Sequence, residues 1–271
     1  MEDEVCDIPV PSHSLADLFP VPVQYAWTTS QLHLQSGSPD KILVKKTRKD
    51  LAKVNVERLD DSHLGVHHVS VGTTHNRFQL ADGTRVWEAF YVNGSYTPSG
   101  PIRGGFGLYL GGPKGKWKQF VDQHAQITMS YAVYFEDGFD FVKGGKLPGL
   151  FGGEGAKALK CSGGRQDERC SCFNLRLMWR AQGKGELYAY LPIMDSNKER
   201  LLQVPGSHAN PDYGISVGRG SFNFTPGVWT TITQRIKVND VEHDNGSTPE
   251  WATPKDQRAW FTAISGGVVV E

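Results

Sequence analysis

The run from Cys172 to Leu191, CFNLRLMWRAQGKGELYAYL, confines the chain more than any other stretch of it. Phe173, Leu175, Leu177 and Trp179 alternate with Asn174, Arg176, Met178 and Arg180, the two-residue period of a strand with unlike faces. Ala181-Gln182-Gly183-Lys184-Gly185 then supplies two glycines for a tight turn. On the way back Glu186, Tyr188 and Tyr190 alternate with Leu187, Ala189 and Leu191. Closure about Gly183 sets Arg180 opposite Glu186, Met178 opposite Tyr188 and Arg176 opposite Tyr190. Leu177, Trp179, Leu187 and Ala189 then face the core, while Asn174, Arg176, Tyr188 and Tyr190 share a solvated face. A guanidinium beside two phenols suits an acidic sugar. The same residues also suit a purely structural face, where cross-strand pairs contribute roughly 0.2–1 kcal/mol each.

The rest of the chain reads the same way. Ile127, Met129, Tyr131, Val133 and Phe135 alternate, as do Ile232, Ile236 and Val238; Val86, Phe90 and Val92 share a face that Glu88 interrupts. Thirty-one glycines and 15 prolines among 271 residues fit many short strands joined by tight turns. Helix is expected only at Lys116–Asp122 and Asn197–Leu202. Residues 1–25 are irregular and proline-bearing, an N-terminal arm, and residues 26–271 read as a single domain. The expected fold is all-β, an antiparallel β-sandwich of jelly-roll type.

Charge and cysteine usage exclude several classes of function. Twenty-nine basic residues balance 29 acidic ones, so no general attraction to nucleic acid or to an anionic membrane is expected. No apolar run approaches the ~20 residues of a membrane span. The start, MEDEVCDIPVPSHS, lacks the basic and apolar parts of a secretory signal, whereas sequons at Asn93, Asn223 and Asn245 are compatible with secretion. Cys161, Cys170 and Cys172 cluster in CSGGRQDERCSC, as a stapled loop or a zinc fragment, but zinc wants four ligands and no partnering motif is present. Pairing of Cys6 with Cys170 stays open. His67 and His68, as strand neighbours, are expected to face opposite ways in structural or surface roles.

A second segment carries chemistry: Lys143 to Gly153, KGGKLPGLFGG. Glycine allows a ligand to approach backbone closely, and Lys143 and Lys146 bring positive charge to that place. The phosphate-binding pattern GxxxxGK[ST] is absent.

Together, KGGKLPGLFGG and CFNLRLMWRAQGKGELYAY resemble polysaccharide lyase family 14, the alginate and glucuronan lyase group of β-jelly rolls. Arg85 to Gly112 and Tyr213 to Trp229 agree, so the resemblance runs from about residue 80 to the C-terminus. It implies catalytic roles for Lys146, Arg176, Tyr188 and Tyr190, with Lys143 as the alternative lysine. Lys143 and Asn174 would bind substrate; Asn174 stands where the family has serine and keeps hydrogen-bonding capacity. The resemblance also implies a loop-closing Cys161–Cys172 disulfide, a secreted enzyme and further strands between Val238 and Trp251, where this chain is shorter.

Such an enzyme removes the C5 proton of a uronate and expels the 4-linked oxygen. It needs a cation at the carboxylate, a base and an acid. Arg176 is expected to lower the pKa of a neighbouring phenol for this purpose. No metal and no cofactor are called for; the partner is an acidic polysaccharide and the protein a monomer. A carbohydrate-binding jelly roll without turnover is the alternative. Hydrolysis, which needs two carboxylates across the bond, has no matching motif, and Glu186 is assigned to pairing with Arg180.

Overall fold

The computed structural model describes residues 4–31, 42–43, 53–98, 100–113, 126–161, 165, 167–191, 195–237 and 257–269. These form two compact units, one from the residues up to Phe139 and from Pro226 onward, the other from Asp140–Thr225. Strands dominate both, and the described helices are short. No described helix is long and apolar enough to cross a membrane.

The first unit holds β1 (Glu4–Val5), β2 (Val23–Thr28), β3 (Ile42–Leu43), β4 (Lys53–Val56), β5 (Val66–His67), β6 (Arg77–Gln79), β7 (Arg85–Tyr91), β8 (Tyr109–Leu110) and β9 (Gln126–Phe135). After the second unit it resumes with β15 (Trp229–Lys237) and β16 (Gln257–Val269). Its main sheet runs β1-β6-β7-β16-β2-β4-β3, with β9 joining β16 to β15. Pairing is antiparallel except for β1–β6 and β2–β4. The long strand β16 binds β7 through Gln257–Phe261 and β2 through Ser265–Val269, with a bulge after Thr262 where Ala263 takes a positive φ. Trp87, Tyr131 and Phe135 are fully buried in this unit. The alternations at Ile127–Phe135 and Ile232–Ile236 are therefore real strands, β9 and β15; Val238 lies outside the described residues. Glu88, the interruption in β7, is buried and paired with Arg258.

Residues of the N-terminal arm hold to this sheet. β1 adds beside β6, and the short helix α1 (Leu15–Leu18) opens on a capping box between Ser14 and Asp17. The strand β2 runs across residue 25. His67 and His68 depart from expectation: both rings pack on Tyr109, at 5.9 and 6.1 Å between centroids. The strand ends at His67, and His68 turns to φ 50°, so the alternation that separates neighbouring side chains stops there.

The second unit is a five-stranded antiparallel sheet, β10 (Gly144–Gly153), β11 (Cys172–Arg180), β12 (Lys184–Tyr190), β14 (Ile215–Asn223) and β13 (His208–Ala209), in that spatial order. Helix α2 (Asp195–Leu202) covers the expected Asn197–Leu202 turn, whereas Lys116–Asp122 lies outside the described residues. One face is apolar by register, with rows Leu150–Leu175–Ala189–Ile215 and Leu177–Leu187–Val217. Among these Leu150, Leu177, Ala189 and Val217 are buried.

Candidate active site

The opposite face of the second sheet carries the chemistry, and its register begins with glycine. From Gly144 on, the segment KGGKLPGLFGG is strand β10, outermost among the described strands of its sheet, and three of its glycines make room for the neighbouring strand β11. A Cβ on Gly149 would lie 1.8 Å from the Leu175 carbonyl oxygen, one on Gly145 2.0 Å from the Trp179 ring, and one on Gly152 2.5 Å from Phe173. Between Lys146 and Gly149 the ladder shifts by a bulge at Leu147-Pro148, a position where proline forfeits no pairing. Before the bulge Lys146 lies directly across from Met178, which puts it on the face of Arg176 and Tyr188. Lys143 precedes the strand; both lysines are exposed.

The β11–β12 hairpin closes two residues away from the expected register. Arg176 faces Tyr188, Asn174 faces Tyr190 and Met178 faces Glu186. The turn is a short 3₁₀ segment centred on Gln182, which itself adopts φ 64°, followed by Gly183 at φ 74°. Gly183 packs against the Phe224 carbonyl and the Phe141 ring, where a Cβ would lie 2.4 and 3.2 Å away. Moving the centre by one residue moves every pair by two, so all side chains keep their face. Asn174, Arg176, Tyr188 and Tyr190 do share one side.

That side is only partly solvated. Asn174 is 2 % exposed, Tyr188 3 % and Tyr190 0 %, and only Arg176 among the four is half-buried. The two phenol rings meet edge-on with centroids 5.3 Å apart. They cluster with Met178 and with Cys161 and Cys172, which form a disulfide whose Cα atoms are 6.0 Å apart. The loop that this bond closes is anchored by Arg165, which donates to the carbonyls of Lys157 and Leu159. Nothing in the two-residue period of a strand reveals such burial. Cys6 is a free thiol.

Charge on this face is organised in two groups. Arg176 donates from Nε to the Asn174 side-chain oxygen at 3.0 Å, so Asn174 orients the guanidinium two residues along its own strand. Beyond Tyr188, Glu186 is 0 % exposed and accepts from Arg180 Nε at 2.8 Å, Ser216 Oγ at 2.7 Å and Arg219 Nε at 2.7 Å. Burial works against its charge, but hydrogen bonds from Arg180 and Ser216 outweigh it and hold the Glu186 carboxyl below its usual range. The expected Arg180–Glu186 pair is present, reached diagonally across the strands. Burial pushes the Tyr188 phenol up to about 12, and Arg180, 5.7 Å from that ring, with a smaller pull from Arg219, only partly offsets it. The expected lowering by Arg176 is therefore overturned: desolvation exceeds any cation's effect, and Tyr188 is a neutral phenol at pH 7.

Sequence reasoning missed the third strand of the site. Ser216 pairs with Tyr188 on one side and with His208 on the other, giving a row Gly149–Arg176–Tyr188–Ser216–His208 across five strands. The signal for Ser216 was the alternation of Ile215 and Val217 around it; a two-residue strand such as β13 leaves no period to read. No group of three or more His, Cys, Asp or Glu side chains that could hold a metal ion occurs among the described residues. The face thus offers a positioned guanidinium, a protonated phenol beside it and a lysine one row away.

Residues 80–249 match the family model of Polysaccharide lyase 14. The crystal structure of the marine PL-14 alginate lyase from Aplysia kurodai is similar at 30 % identity, with a TM-score of 0.58, over 77 % of this chain and 92 % of that one. Alginate lyase vAL-1 from Chlorella virus shares the fold at 21 % identity and a TM-score of 0.51, over 76 % of this chain and 93 % of that one. No curated protein matches the chain.

Proposed function

Since the chain belongs to polysaccharide lyase family 14 and is a jelly-roll lyase of uronic-acid polymers, we propose that its substrate is alginate, cleaved by β-elimination on the face of β10, β11 and β12. The observation that carries this reading is the pairing of Arg176 with Tyr188, with Lys146 one row away on the same face. Arg176, oriented by Asn174, neutralises the carboxylate of the sugar that loses its C5 proton, where negative charge develops. The Lys146 amine takes that proton; of the two lysines it is the one whose register puts it on this face, while Lys143 lies outside the strand. The electron pair forms the C4–C5 double bond, and the 4-linked oxygen leaves with a proton from Tyr188. A phenol held at about 12 is protonated across neutral pH, which suits an acid and not a base. Tyr190 packs edge-on against Tyr188 and holds its ring in place.

The Aplysia relative is described as an alginate lyase, which favours alginate over glucuronan. The Cys161–Cys172 disulfide supports an enzyme secreted into an oxidising space, and a site built on one sheet supports action as a monomer. The test is incubation with alginate and with glucuronan, following ultraviolet absorbance of the unsaturated product. Alginate should give product at a rate that rises toward alkaline pH, because a lysine amine deprotonates late, near 10.4, and the rate should survive a chelator. Saturable binding with no unsaturated product at any pH would make the chain a binding module and refute the mechanism.

A further inference from the structure

Resting on the reading of the chain as an alginate lyase, we propose that Arg219 is a second carboxylate-binding cation of this sheet face, serving the uronate next to the one held by Arg176. A polyuronate carries a carboxylate on every sugar, so a face that holds more than one sugar meets more than one anion. The structure supplies a surplus cation for it. Glu186 is one carboxylate between two guanidiniums, and the group Arg180–Glu186–Arg219 therefore keeps one net positive charge. Arg180 spends two nitrogens on Glu186 and its side chain is only 12 % exposed. Arg219 is bound differently. Nε alone makes its bonds, to Glu186 at 2.7 Å and to Ser216 Oγ at 3.3 Å, and the side chain is 39 % exposed. Its two terminal nitrogens take no part in these bonds, which leaves the planar fork that matches a carboxylate.

The backbone is shaped to put it there. Between the pairs Gly185–Phe222 and Leu187–Val217 a single residue, Glu186, faces the four residues Gly218–Ser221. Gly218 and Gly220 both take positive φ, at 63° and 81°, on either side of Arg219, and the Arg219 amide donates to the Gly206 carbonyl at 3.2 Å. This bulge turns an arginine that strict alternation would send to the apolar face back toward Glu186 and Ser216. Ser216 and Arg176 flank Tyr188 on opposite strands, each about 4.8 Å away in the pairing direction. Arg219 and Arg176 thus lie on either side of the proposed acid.

The experiment is a calorimetric titration of an alginate tetrasaccharide into Tyr188→Phe, in which turnover is suppressed, and into the same protein carrying Arg219→Gln or Arg219→Lys, each at low and high salt. Arg219→Gln should weaken binding about tenfold and flatten its salt dependence, because a charge contact is lost, with Arg219→Lys in between. Equal affinity and equal salt dependence in all three proteins would overturn the proposal. The lyase reading fails separately, by the absence of unsaturated product from the wild type. If the tetrasaccharide does not bind even to Tyr188→Phe while the wild type gives unsaturated product, the proposal for Arg219 falls and the lyase reading stands.

Discussion

Replacing Glu186 by Gln isolates what one buried charge does in this sheet. The amide keeps the shape and one acceptor, but Arg180 is left in a largely enclosed position without a counter-ion. Removing one partner of a buried ion pair costs about 3–5 kcal/mol. The Arg219 contact, on a guanidinium more than a third exposed, adds only about 0–1 kcal/mol after solvent screening. Glu186→Gln should therefore lose roughly 3 kcal/mol or somewhat more at pH 7, read as a shift in the urea midpoint at unchanged slope. The pH dependence has a definite sign. The Glu186 carboxyl is held below its ordinary value in the folded chain, so its contribution is complete above the unfolded carboxylate range near ~4.3. It is lost as pH falls through the lower, folded value. Wild type and variant should converge on acidification from about pH 5 downward. A loss under about 1 kcal/mol at pH 7, or a gap that stays constant down to pH 3, would refute the account of Glu186 as a charge sustained by its hydrogen bonds.

Arg176→Ala should abolish alginate turnover while leaving the melting temperature near that of wild type, since the side chain is half-buried and bound to Asn174 alone among the contacts described above; circular dichroism and product absorbance check both halves. Tyr188→Phe should lose turnover by at least about a hundredfold, as expected of a general acid, whereas Tyr190→Phe keeps the ring contact and should lose far less; equal effects would contradict the division of roles. Opening the Cys161–Cys172 bond by serine substitution at both positions should cost about 3 kcal/mol by loop closure. It should also expose Tyr188 and so lower its phenol toward the ordinary range, visible by ultraviolet titration of tyrosinate.

The sequence carried the face of the site but not its register or its cover. A period of two residues says which side chains travel together, and this survived the misplaced turn because Gln182, not Gly183, lies at the centre. Turn centres depend on which residues tolerate a positive φ, and a glutamine there is invisible to a rule that looks for glycine. Burial of Tyr188 and Tyr190 comes with the cluster they form with Met178 and the Cys161–Cys172 disulfide, and alternation cannot distinguish a face open to solvent from one that carries such a cluster. The glycines of β10 announced a close approach correctly, yet only the paired strand shows that the approaching group is the backbone and rings of β11. Ser216 could have been read from the alternation of Ile215 and Val217, but its place beside Tyr188 and His208, and the bulge that turns Arg219 toward Glu186, come from long-range pairing for which local pattern has no signal.

The bulge in β10 has a consequence for how the protein survives at high concentration. Among the described residues β10 is the outermost strand of its sheet, and a straight, regular outer strand is the kind that another extended chain can add to. Pro148 has no amide hydrogen to donate, the register break at Leu147-Pro148 interrupts the regular strand, and exposed Lys146 adds charge beside it, three features that discourage such addition. The same few residues that set Lys146 on the face of Arg176 and Tyr188 are thus also the ones that make this strand a poor template for a neighbouring molecule.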